Sequence, residues 1–155
     1  MLGRIVGVIS YIGVAFVVCL ALMTGIDVFG RYAFNSPIRG GVDLTELLLV
    51  VIVACGIVVT TAEDNHITVD SVFDKLPPHG KKILLIFGSA VSVLMFAIFV
   101  WQGGIGTKDA IRSATGTLML DIPVFPFKFI LALGFFISLI FSIRQFVRLF
   151  FNKQG

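Results

Sequence analysis

The sequence predicts an all-α membrane protein with four transmembrane helices, because its charged residues are absent from four long segments. These segments are 22, 16, 25 and 15 residues long and cover 5–26, 47–62, 83–107 and 129–143. Charged residues make up 14% of the 155-residue chain, against about 25% in a soluble domain. Because about 20 residues cross about 30 Å of hydrocarbon, we expect one membrane domain over 1–155 and no soluble catalytic domain.

The predicted spans cover 5–29, 43–62, 83–105 and 126–150, so the first, second and fourth extend beyond their charge-free segments. The last span reaches its length if Arg144 and Arg148 extend their charged ends to the headgroups. It opens on a proline, which the first turn of a helix tolerates.

The polar segment between the second and third spans predicts a short amphipathic helix on the membrane surface. Val69, Val72, Phe73 and Leu76 follow a 3.6-residue period, and the residues on the opposite face are polar or charged. The two prolines at 77–78 end it.

Polar residues at the ends of the first two helices predict local contacts. Asp27 and Arg31 are four residues apart and can pair on one face of helix one. We expect this helix to break between Gly30 and Pro37. Asp43 and Glu46 have the spacing of a capping box at the start of helix two.

The distribution of Lys and Arg places both termini in the cytoplasm, since basic residues favour that side. Seven lie on the side of the termini and five on the other. The first set is Arg4, Lys75, Lys81, Lys82, Arg144, Arg148 and Lys153, and the second is Arg31, Arg39, Lys108, Arg112 and Lys128.

The interiors of the predicted spans carry no ionisable group, which argues against a proton relay or an ion-coupled site in this chain alone. Ser89 and Ser92 are the most polar candidates. We interpret the Gly88/Ser92 and Gly3/Gly7 spacings as points of close helix approach.

Two other classes of function remain as alternatives. The first is an autonomous small transporter or channel that acts as a homo-oligomer, which a charge at the centre of a span would favour. The second is a membrane enzyme or redox protein, which needs a nucleophile–base pair, paired thiols or haem ligands. His66 and His79 share one loop, so we expect no catalytic residue, no metal site and no nucleic-acid partner.

Four motifs at the joins between spans resemble the small integral-membrane (DctQ-like) subunit of tripartite ATP-independent periplasmic (TRAP) transporters. They are DVFGRYAFNSPI at 27–38, TEL at 45–47, NHITVD at 65–70 and SATGTLMLDIP at 113–123. The resemblance covers nearly the whole chain. It implies a non-catalytic scaffold in the bacterial inner membrane, surrounded by lipid and bound to a large elevator-type permease subunit.

The resemblance also implies the substrate and the other components. The large subunit would hold the substrate and sodium ions, and this chain would bind no cofactor. A periplasmic binding protein would deliver a carboxylate such as a C4-dicarboxylate, sialic acid or another sugar acid.

The residues that match the family's motifs receive structural roles. Asp27 and Arg31 would hold the outer end of helix one, and Asp43 and Glu46 would cap helix two. Arg39, Lys108 and Arg112 would face outside, where solvation by water is the favoured interpretation and contact with acidic patches on the binding protein is the alternative. The remaining matched residues are Asn35, Pro37, His66 and Asp70.

Overall fold

A computed structural model describes residues 2–36, 38–62 and 78–151, and these residues form four helices. They are α1 (Leu2–Phe34), α2 (Gly41–Ala62), α3 (Pro78–Arg112) and α4 (Phe125–Phe151). Each helix is long and apolar enough to cross a membrane, which confirms the all-α class with four candidate spans. The amphipathic helix predicted over 69–76 lies outside the described residues.

The helices are longer than the sequence predicted: α3 exceeds its predicted range of 83–105 most, and α1 exceeds its range of 5–29. Helix α1 continues through Gly30 and ends at Phe34, because backbone groups near a lipid environment are best satisfied within the helix. Asn35 then takes a left-handed conformation, with φ 51°, and the Ser36 N–H donates to the Gly30 carbonyl at 3.2 Å. Asparagine tolerates this conformation better than most residues, so it stops the helix.

The four helices form an open row rather than a closed bundle. Substantial contacts join α1 to α2, α2 to α4 and α4 to α3, so the order across the row is α1, α2, α4, α3. Every side chain described in α1 is half-buried or exposed. Both edges of the row therefore present apolar surface that this chain does not cover.

Small residues set the closest approach at each junction of the row. A β-carbon on Gly13 in α1 would lie 3.2 Å from the β-carbon of Cys55 in α2. One on Gly134 in α4 would lie 3.1 Å from the Ala54 carbonyl oxygen in α2, and one on Gly103 in α3 would lie 3.1 Å from a β-carbon in α4. Small residues let membrane helices approach closely, which increases their van der Waals contact.

The glycines predicted from spacing are not the ones used at these junctions. A β-carbon on Gly7 or on Gly88 would meet nothing within 4 Å, so the prediction that they mark helix contacts was wrong within this chain. Ser92 instead donates its hydroxyl to the Gly88 carbonyl of its own helix at 3.0 Å.

Most of the buried residues lie in α2 and α4, and α3 adds Ser89, Thr107 and Ala110. In α4 the buried residues recur every fourth position, which places them on one face. The buried residues are Gly134, Ser138 and Ser142 in α4, and Asp43, Leu47, Val51, Ala54, Val58 and Thr61 in α2. Helices α2 and α4 are thus the two inner helices of the row.

Candidate functional site

Asp27 ties the end of α1 to the loop that follows it. Its Oδ2 accepts a hydrogen bond from an Arg31 guanidinium nitrogen at 2.8 Å, which confirms the predicted ion pair. Its Oδ1 accepts from the Ile38 backbone N–H at 2.8 Å. Arg31 is largely exposed, and exposed pairs contribute little to stability. The backbone contact is therefore the more important structural role of Asp27.

This contact also positions the start of α2. The Gly41 N–H donates to the Ile38 carbonyl at 3.1 Å. A β-carbon on Gly41 would lie 3.5 Å from Asp27 Oδ1, so the first residue of α2 lies at the height of Asp27. The Asp27 carboxylate thus holds the α1–α2 connection against the start of α2.

Asp43 does not cap α2 as the sequence predicted. The helix already begins at Gly41, and the Leu44 N–H donates to the Gly40 carbonyl at 3.1 Å. The Asp43 carboxylate instead accepts two backbone hydrogen bonds from the α3–α4 connection, from Met119 at 2.8 Å and from Leu120 at 2.9 Å. Its side chain is only 4% exposed. Asp43 is therefore a docking point for a segment more than seventy residues away.

The segment that docks on Asp43 is a tight hairpin over 115–124. The Thr117 N–H donates to the Ile122 carbonyl at 3.0 Å, and the Val124 N–H donates to the Thr115 carbonyl at 3.1 Å. Asp121 takes a left-handed conformation with φ 52°, as aspartate can in a turn. Residues 118–121 form the tip, whose backbone is fixed by these contacts.

Gly40 completes the contact between the hairpin and α2. Its φ of 76° is in the left-handed region, which glycine adopts without strain. A β-carbon at this position would collide with the side chain of Leu120. Leu120 thus packs on the start of α2, whereas the neighbouring tip residue Leu118 is 100% exposed.

The other predicted residues occupy different positions. Asn35 ends α1, and Glu46 lies on the exposed side of α2. The basic side chains predicted to face outside are exposed, but the structure does not bring them into the Asp27 or Asp43 contacts. These are Arg39, Lys108 and Arg112. Pro37, His66 and Asp70 lie outside the described residues.

The clefts of the row are apolar or small. A cleft of about 300 Å³ lies between α1 and α2, where Gly13 and Gly56 leave space beside Val14, Val17 and Val59. A second, of about 150 Å³, lies next to Asp27. In the described ranges no three metal-ligating side chains come together. The chemistry available along the helices is hydrophobic contact.

The sequence reading missed two features. Ser138 and Ser142 are fully buried in α4, and their hydroxyls have no hydrogen-bond partner. With Gly134 they form a small-residue repeat at every fourth position, a signal that could have identified the α2-facing side of α4. The Asp43–hairpin contact had no comparable signal, because nothing local links Asp43 to Met119.

The described helices define a multi-pass membrane protein, in which the Asp27 and Asp43 carboxylates join α1, α2 and the hairpin at one end of the row. Residues 4–152 match the model of the family "Tripartite ATP-independent periplasmic transporters, DctQ component". The chain therefore belongs to this family of small TRAP permease subunits.

Two curated relatives carry related names. The chain is 28% identical over 92 residues to a protein of Haemophilus influenzae named as a TRAP transporter small permease protein, covering 57% of this chain and 55% of the relative. It is 24% identical over 122 residues to the ectoine TRAP transporter small permease protein TeaB of Halomonas elongata, covering 79% of this chain and 63% of the relative. The matched region thus spans less than two thirds of each relative.

Proposed function

We propose that this chain is the non-catalytic scaffold subunit of a sodium-coupled TRAP importer in the bacterial inner membrane. It supports a large elevator-type permease subunit that holds the substrate and sodium ions, and it helps a periplasmic binding protein to dock. The substrate class is a carboxylate, such as a C4-dicarboxylate, sialic acid or another sugar acid. Both termini face the cytoplasm.

The observation that carries this proposal is the open row. Contacts among the described helices leave α1 and α3 each packed on one neighbour. The edges of the row present large apolar side chains along their length, such as Leu22 in α1 and Leu94 in α3. Such surfaces suit contact with another membrane subunit, because helix association in lipid depends on close packing over long faces.

The polar groups within the helices support a structural role. The hydroxyls of Thr24, Thr61 and Thr107 each donate to the carbonyl four residues earlier, at 2.7–2.8 Å. A hydroxyl that donates to its own helix has no proton left to donate to a carboxylate. These three hydroxyls therefore cannot replace the hydration shell of a carboxylate substrate.

Co-expression tests the proposal directly. A tag on this chain should co-purify the large subunit, and proteoliposomes containing both should take up substrate when the binding protein and an inward sodium gradient are supplied. Vesicles with this chain alone should show no uptake. Uptake by this chain alone would instead favour the alternative of an autonomous homo-oligomeric transporter or channel.

A further inference from the structure

The cleft between α1 and α2 runs along two antiparallel helices. A β-carbon on Gly13 would contact the side chain of Cys55, and one on Gly41 would contact the Asp27 carboxylate. These two contacts are fourteen residues apart on both helices and come in opposite order along the chain. Equal steps of about 1.5 Å per residue therefore keep equal heights on α1 and α2, so each residue that lines the cleft can be placed along its length.

One end of the cleft is polar and the other end is apolar. Ser10 and Thr60 line the end nearer the start of α1, within about 3 Å of each other in height, and Val18 and Ile52 line the other end, about 12–15 Å from Thr60. In the described part of the chain neither of the two hydroxyls has a hydrogen-bond partner, whereas the neighbouring Thr61 donates to its own helix. The polar end can therefore donate hydrogen bonds to a ligand.

The cleft covers about one half of the thickness of a membrane. The candidate span of α2, Gly41–Ala62, has 22 residues and is about 33 Å long, close to the hydrocarbon thickness of about 30 Å. Thr60 lies two residues from the end of this span, and Ile52 lies ten residues from it. The polar end of the cleft therefore lies near the edge of the hydrocarbon and the apolar end near its centre. A lipid of one leaflet covers the same depth, from its ester groups to the ends of its chains.

The cleft is too narrow for a helix but wide enough for a hydrocarbon chain. Its volume of about 300 Å³ over a length of about 15 Å corresponds to a cross-section of about 20 Å². An α-helix with its side chains is about 10–12 Å in diameter, which is a cross-section of about 80 Å² or more. A single hydrocarbon chain fits the smaller section, because its carbon atoms contact their neighbours at about 3.5–4.0 Å. Val14 and Val17 on the wall are about half exposed, so the cleft is open to such a chain from the side.

We propose that this cleft binds one acyl chain of a phospholipid from the leaflet on the side where α1 begins. The chain lies against Gly13 and Gly56, and the carbonyl oxygen of its ester accepts a hydrogen bond from the hydroxyl of Ser10 or Thr60. An unpaired hydroxyl in hydrocarbon costs free energy, so an ester acceptor at this depth stabilises the contact. The phospholipid completes the packing between α1 and α2. The inference goes beyond the proposed scaffold function and rests only on the membrane-spanning class of the chain.

Photoreactive phospholipids test the site in the full chain, reconstituted in nanodiscs of phosphatidylethanolamine and phosphatidylglycerol. One probe carries a diazirine near the ester end of an acyl chain, and a second carries it near the methyl end. After illumination and peptide mapping by mass spectrometry, the first probe should label Ser10 or Thr60 and the second should label Val18 or Ile52. The reverse order, or labelling spread evenly over the exposed faces of α1 and α3, would overturn the proposal.

A substitution that fills the cleft provides a second test. Gly56 lies midway along the cleft, and a β-carbon there would meet nothing within 4 Å, so Gly56→Leu occupies the space of the lipid chain without a collision at the backbone. Labelling of the cleft should fall at least about tenfold, which corresponds to about 1.4 kcal/mol of binding free energy. Gly88→Leu is the matched control, because Gly88 is equally open and lies at a similar depth in α3. Equal labelling in the two variants would contradict the site.

The complex with the large subunit distinguishes lipid from protein as the occupant of the cleft. Labelling of the cleft by both probes should persist when the two subunits are reconstituted together. Loss of labelling on assembly would overturn the inference, because a side chain of the large subunit would then fill the cleft. Failure of the two subunits to assemble, with labelling of the isolated chain intact, would overturn the scaffold function and leave the lipid site standing.

Discussion

The close approach of α4 to α2 at Gly134 makes a sharp prediction about stability. In Gly134→Ala the new β-carbon would lie 3.1 Å from the Ala54 carbonyl oxygen and 3.3 Å from its Cα. Ordinary contacts between carbon atoms are about 3.5–4.0 Å, so the two helices must separate by a few tenths of an ångström. That separation weakens packing along the whole buried face that Gly134 shares with Ser138.

The magnitude follows from two opposed effects. Inserting a carbon into a packed interface costs about 1–3 kcal/mol, and replacing glycine by alanine in a helix gains up to about 1 kcal/mol. Gly134→Ala should therefore destabilise the protein by about 1–2 kcal/mol, and Gly134→Val by more. Gly88→Ala is the matched control, because its β-carbon meets nothing within 4 Å. It should be neutral or stabilising by up to about 1 kcal/mol.

The assay is reversible unfolding of the isolated chain in mixed detergent micelles, with the helix content followed against the mole fraction of denaturing detergent. Opposite signs for the two alanine variants are the expected result. If Gly134→Ala proved as harmless as Gly88→Ala, the tight α2–α4 junction, and with it the order of the row, would be refuted.

Three further predictions test other parts of the structure. Asp43→Ala should raise the hydrogen-exchange rate of the amides in hairpin 115–124 at least tenfold. Glu46→Ala, three residues along the same helix, is the control and should leave this rate unchanged. Equal exchange rates in both variants would contradict the docking role of Asp43. Ser138→Ala should be neutral or stabilising by up to about 2 kcal/mol, because a buried unpaired hydroxyl costs about 1–3 kcal/mol. Ser92→Ala is the comparison, because it removes a hydroxyl that is hydrogen-bonded. Clear destabilisation by Ser138→Ala would show that the Ser138 hydroxyl has a partner. A fluorescent protein fused to the C-terminus should fluoresce in cells and a phosphatase fused there should be inactive, and the reverse pattern would invert the predicted orientation.

The class of the fold followed from the sequence because a hydrocarbon layer imposes a simple rule. Charged residues are excluded from long segments, and the four candidate spans correspond to those segments. Local spacing also predicted the Asp27–Arg31 ion pair that the structure contains, because residues four apart on a helix are neighbours. The predictions that the structure confirmed each needed only one helix, but the cap predicted at Asp43, which also needed only one, was wrong.

Predictions that needed two elements were less successful, for a physical reason. Gly88 and Gly134 both lie in apolar helices, so the sequence around them does not show which one contacts another helix. In the structure Gly134 faces Ala54, whereas a β-carbon on Gly88 would meet nothing within 4 Å. Asp43 has the spacing of a cap, but two backbone donors of a distant hairpin bind its carboxylate. In an apolar helix every face is hydrophobic, so periodicity does not reveal which face meets a neighbour.

The inner position of α2 in the row explains why Asp27 and Asp43 make their contacts near its first turn. This helix contacts both α1 and α4, so its first turn is where the α1–α2 and α3–α4 connections can meet. Asp27 directs the α1–α2 loop to Gly41, and Asp43 binds the tip of the hairpin two residues later along the chain. The two carboxylates thus fix both connections without closing the row. A chain built in this way fixes one end of the row while its two edge helices keep uncovered apolar faces, which is the combination that the proposed scaffold function needs.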